Sequence, residues 1–141
     1  MPSPELENLA RTGQLKREPA GSREVERLIR SGEARLTDAR NESLSLDSRF
    51  DLAYNAAHAL ALAALRLRGY RSENRFVVFQ VLPHTLGLSK VIWRVLAKCH
   101  DARNLAEYEG AAEIDERLVA DLLSAAGAVR DALRAALRHG A

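Results

Sequence analysis

Cysteine, aromatic side chains and long apolar runs are all scarce in this chain. The one cysteine, Cys99, cannot form an internal disulfide, and a reduced, cytoplasmic setting fits it. One Cys and four scattered His provide no zinc-ligand spacing, so no metal and no cofactor are expected. Aromatics make up 5% of the residues, which argues against a strand-rich fold. The longest apolar stretch, Ala53 to Leu65, is broken by Asn55 and His58 and is too short to span a bilayer, so no membrane association is expected. Met1 to Arg11 carries acids and no apolar run, unlike a signal peptide. There is no Gly-rich phosphate loop, no Ser-His-Asp set, no internal repeat and no low-complexity tract.

What the chain does have is alanine and leucine. Apolar residues are 47% of its 141 residues, mostly these two strong helix formers, and the length suits one all-α domain. The net charge of +2, from 21 basic and 19 acidic side chains, neither announces nor excludes a nucleic-acid partner, because the distribution of charge decides that.

Residues 1–21 hold three of the four prolines and read as a loosely ordered lead-in, with one short helix over Glu5–Arg11. Residues 22–141 read as the domain proper. Ser22 is the expected cap of a helix carrying Val25, Leu28, Ile29, Leu36 and Ala39 at helical spacing, with Gly32 weakening its middle. Asp47 to Arg68 is apolar nearly all round, which predicts a helix at the centre of a bundle or at a dimer seam, capped by Ser43 or Asp47 and ended by Gly69. Ser72 to Leu86 predicts a short helix ending near Pro83. Ser89 caps a helix to about Arg103, and the region of Asp115 starts a last helix reaching His139.

Two stretches carry a family resemblance. One is Arg49-Phe-Asp-Leu-Ala-Tyr-Asn-Ala-Ala-His58, followed by an Ala-Leu-rich segment and Leu-Arg-Gly-Tyr at 67–70. The other is Ala102-Arg-Asn-Leu-Ala-Glu-Tyr-Glu109. Their order and separation resemble the HEPN superfamily. The resemblance covers roughly Ala34 to Leu133. It implies an up-and-down helical bundle of four to five helices that dimerises. It further implies a role as an RNA-binding or metal-independent ribonuclease module, often the toxin beside a nucleotidyltransferase-type antitoxin. Active members place a His four to six positions after the Arg and its polar neighbour. Here Glu107 and Tyr108 follow Arg103 and Asn104, and no His comes until His139.

The candidate site residues are Arg103, Asn104, Glu107 and Tyr108, as a polar cluster for phosphate or RNA. The plain structural alternative pairs Arg103 with Glu107 one turn on. With no His in the family position, the acid–base role falls to His100, or to His58. Arg94 and His100 have a nuclease-like spacing, but six positions on one helix separate their faces, so the match is read as accidental. Tyr54 and His58, four apart, either line a polar pocket opposite Arg103 or form part of the core. Asn55, if buried, needs a partner such as Asn104 or a dimer mate. Arg66, Arg68, Arg71 and Arg75, with Tyr70 among them, form a local basic patch that either binds single-stranded nucleic acid or compensates a helix end.

Three functional readings stay open: a dimeric RNA- or partner-binding module with a degenerate nuclease motif, a metal-independent ribonuclease toxin, and a structural oligomerisation adaptor.

Overall fold

The computed structural model describes residues 3–108 and 114–140, the side chains of 106–108 excepted. The fold is all-α: seven helices and one two-stranded antiparallel ribbon among the described residues. None of the helices is long and apolar enough to cross a membrane.

The short helix expected near the N-terminus is present, and the segment around it packs on the rest of the fold. Helix α1 (Pro4–Arg11) begins with Pro at its first turn, and the Ser3 hydroxyl accepts from the Leu6 amide. Strand β1 (Lys16–Arg17) pairs with β2 (Tyr70–Arg71), Arg17 opposite Tyr70. Leu6 and Leu15 are buried in the common core, which explains the order. The Tyr70 hydroxyl donates to Glu7, and the Glu18 amide donates to the Gly69 carbonyl at 2.9 Å.

Helix α2 (Ser22–Ala39) buries Val25, Ile29, Leu36 and Ala39, and Gly21 rather than Ser22 occupies its cap position. Helix α3 (Leu46–Leu67) is the central element, with twelve of its residues buried on several faces. Its cap is Ser45, whose Oγ accepts from the Ser48 amide at 3.1 Å. Ser43 hydrogen-bonds Asn41 instead, and Asp47 already lies inside the helix. Gly69, at φ +83°, reverses the chain after α3, a conformation that favours glycine.

Two short helices follow, α4 (Arg75–Gln80), capped by Asn74, and α5 (Leu82–Thr85). With α1 they account for the count above four to five. Helix α6 (Lys90–Tyr108) runs past Arg103, so residues 102–108 are helical. Helix α7 (Glu116–Arg138) starts where Asp115 accepts from the Leu118 amide at 2.8 Å. Helix α3 packs on α2, α4, α6 and α7, so its side chains can meet groups from several directions.

Candidate functional site

Helix α3 presents Tyr54 and His58 one turn apart, on the side where α4 and α6 cross it. Tyr54 is fully buried. Its hydroxyl lies 2.8 Å from His100 Nδ1, and the other ring nitrogen of His100 lies 3.3 Å from Asn104 Nδ2. Residues 100 and 104 are one turn apart on α6, so Asn104 stacks above the imidazole. The Arg103 guanidinium sits 5.0 Å from the centroid of the Tyr54 ring, and that of Arg75 sits 5.5 Å from it. Both distances fall within cation–π range. Phe76 meets His100 at 6.1 Å between ring centroids, and Phe79 meets Tyr54 edge-on at 5.8 Å. Asn55 accepts from Arg75 at 3.1 Å while its own amide donates to the Asp51 carbonyl at 2.9 Å. Within this chain Asn55 therefore finds its partner in Arg75 and not in Asn104, and the bond helps fix where Arg75 points.

The electrostatics follow from this crowding of cations. Burial, with the charges of Arg75, Arg103 and His100, pulls His58 down to about 4. Burial also lowers His100, Asp101 beside it raises it, and Arg103 and Arg75 lower it further. Both imidazoles are thus neutral near pH 7, and each keeps one acceptor nitrogen and one donor. The Cys99 thiol on the same helix is buried in the core, which pushes it up to about 12 and removes it from nucleophilic chemistry.

No protein-family model matches the chain, and comparison with the curated proteins gives no match. The site therefore has to be read from its own geometry. It brings two guanidiniums to one buried aromatic ring and sets two neutral imidazoles beside that ring. Among the described residues no three His, Cys, Asp or Glu side chains gather to hold a metal ion.

Several sequence-derived candidates go elsewhere. The basic patch comes apart. Arg66 is 4% exposed and donates to Glu24 at 2.6 Å, to the Glu18 carbonyl at 2.8 Å and to the Tyr70 carbonyl at 3.2 Å. It locks the N-terminal segment to the last turn of α3 and is not a surface cation. Arg71 pairs with Glu18 and Glu73, and Arg68 reaches the Thr85 carbonyl at 3.4 Å. Arg75 alone of the four joins the Tyr54 site. Arg94 is exposed on α6, away from the buried side of that helix. The side chains of Glu107 and Tyr108, and with them the Arg103–Glu107 pairing, lie outside the described residues.

Sequence reasoning missed Phe76, Phe79 and the separate part played by Arg75. The one signal for Arg75 was its place directly after Asn74, a good helix cap, which starts a new helix there and sets Arg75 apart from the residues before it. His58 and Arg75 also border a groove of about 560 Å³ between α2, α3 and α4, floored by Leu28 and Leu62.

Proposed function

We propose that this chain is a HEPN-like helical module that binds the phosphates of RNA at the Tyr54 site, acting as a dimer and with weak or no nuclease activity. One observation carries the reading: Arg75 from α4 and Arg103 from α6 converge within 5.5 Å of one buried aromatic ring. Guanidinium groups suit the oxygens of a phosphodiester. The HEPN resemblance of the 49–58 and 102–109 segments points to the same ligand. Under it, a nucleotidyltransferase-type antitoxin is the expected protein partner.

Binding of a short single-stranded RNA, followed by fluorescence anisotropy over a salt series, tests the reading. Arg75→Ala and Arg103→Ala should each weaken binding and each reduce the salt slope by about 1. Affinities unchanged in both variants would remove the Tyr54 site from consideration.

A second reading, metal-independent RNA cleavage, has its own supporting observation. The Tyr54 hydroxyl orients His100 through Nδ1 at 2.8 Å, and Nε2, 3.3 Å from Asn104, is the nitrogen that would have to exchange Asn104 for a substrate hydroxyl. In that chemistry His100 exchanges a proton with the attacking or leaving hydroxyl, and Arg103 stabilises charge on the phosphorus oxygens. Cleavage of RNA in excess EDTA that disappears in His100→Ala and Arg103→Ala would establish it. No cleavage by the unaltered protein at high concentration would leave binding as the function.

A further inference from the structure

Helix α3 presents His58, Leu62 and Arg66, on successive turns, to the groove beside α2, which adds Glu24 and Leu28. Glu18 of the N-terminal segment, Arg71 of β2, Glu73 and the first residue of α4, Arg75, complete its charged rim. The volume, about 560 Å³, falls in the range of small-molecule sites, roughly 300–1,000 Å³. Leu28 and Leu62 are half-buried: each packs against the core and keeps apolar surface for the groove.

Most charges on the rim are committed to one another. Glu24 holds Arg66 at 2.6 Å, Glu18 reaches Arg66 at 3.2 Å and Arg71 at 3.3 Å, and Glu73 reaches Arg71 at 3.5 Å. Arg75 meets no carboxylate among the described residues. Its Nη1 donates to Asn55 at 3.1 Å. No described residue accepts from its Nε–Nη2 edge, a fork that fits a carboxylate through two parallel bonds. His58 meets Phe79 edge-on at 6.1 Å but hydrogen-bonds to no described residue, and neither of its ring nitrogens is sealed into the core. Burial lowers its affinity for a proton most, and Arg75 is the charge that lowers it next, so the two side chains are neighbours on this groove. A neutral imidazole has one N–H to donate.

We propose that this groove binds a small monocarboxylate with an apolar body. The carboxylate takes the Nε–Nη2 edge of Arg75 and the N–H of His58, and the hydrocarbon lies on Leu28 and Leu62. The charges of the rim select this class. Glu18, Glu24 and Glu73 balance Arg66, Arg71 and Arg75, so a multiply charged ligand gains no net attraction. A single negative charge fits the one guanidinium that lacks a carboxylate. The inference goes beyond the RNA reading: it needs neither Arg103 nor the Tyr54 ring, and it stands if RNA binding fails.

Hexanoate is the probe, with acetate and 1-hexanol beside it. Acetate keeps the head and lacks the body, and the alcohol keeps the body and lacks the charge. Titrated into isotope-labelled protein at neutral pH and followed by NMR, hexanoate should shift the amides around Leu28, His58, Leu62 and Arg75 saturably. Acetate and 1-hexanol should each bind about tenfold more weakly or worse, one for lost apolar burial and one for lost charge-assisted bonds. Arg75→Gln should weaken hexanoate by about tenfold, and His58→Phe, which keeps a ring against Phe79 but has no N–H, by about fivefold. Both variants should keep the dispersed spectrum of the unaltered protein, and the ligand series decides without them. Shifts that do not saturate, or that fall elsewhere on the molecule, would overturn the inference. So would 1-hexanol or acetate binding as tightly as hexanoate, since the groove would then not join a head to a body. Hexanoate affinity unchanged in both variants would overturn it as well.

Discussion

The Tyr54 hydroxyl and His100 Nδ1 meet at 2.8 Å across the α3–α6 contact, joining a fully buried ring to an imidazole at the rim of the site. Their positions are 46 residues apart in the chain. The bond ties the buried ring of α3 to the imidazole of α6. Tyr54→Phe keeps the platform and removes the bond. Urea unfolding should show a loss of about 1 kcal/mol, the usual net worth of one hydrogen bond. The RNA binding proposed for Arg75 and Arg103 should survive, since the ring they face is retained.

Arg66 and Arg71 stand five residues apart and differ sharply in burial, 4% against 46% exposed. Arg66→Ala leaves Glu24 and the carbonyls of Glu18 and Tyr70 without their donor. Chemical denaturation should show a loss of about 3 kcal/mol, at the lower end for a broken buried pair because Glu24 keeps access to water. Protection of the N-terminal amides from hydrogen exchange should fall first. Arg71→Ala should change stability by less than about 0.5 kcal/mol. Equal effects from the two would contradict the locking role given to Arg66.

Gly32 faces α3 where the two helices come closest. A Cβ built there would lie 2.6 Å from Leu60 Cγ and 3.2 Å from the Ala56 carbonyl oxygen. Leu60 is fully buried, and side chains in a close-packed core give way only at a cost. Gly32→Ala gains about 1 kcal/mol in helix propensity but overpacks the α2–α3 contact by more. The thermal midpoint should fall, corresponding to a net loss of about 1–2 kcal/mol. A rise in midpoint would mean that α2 can shift outward at little cost.

His58 makes stability depend on pH. Its pKa is about 4 in the folded chain against 6.5 when solvated, so below 6.5 the unfolded chain binds more protons. Stability should therefore be full above about pH 6.5 and fall as the pH drops toward 4, by at most about 1.4 kcal/mol per unit. In His58→Gln this part of the slope should be missing from urea midpoints taken across that interval. A slope unchanged in the variant would place the protonation elsewhere.

The sequence alone determined the four long helices and most of their approximate ends. The all-round apolar character of α3, the reversal at Gly69 and the cap at Asp115 follow from local rules, because propensity, periodicity and capping act within a few residues of chain. Tyr54 and His58 were legible as a pair for the same reason, being one turn apart, and His100, Arg103 and Asn104 were legible from the motif around them. Tertiary structure decided the rest. In a string of four arginines the Asn74 cap sets Arg75 apart, but nothing local shows that Arg66 is buried on Glu24 or that Arg75 turns to Tyr54. Likewise, residues 3–17 are ordered because Leu6 and Leu15 enter a core built mostly by distant residues. Burial, and the field of one side chain on another, depend on neighbours far away in sequence. The meeting of Arg75, His100 and Arg103 at one buried ring is therefore a property of how α3, α4 and α6 pack, and of no segment by itself.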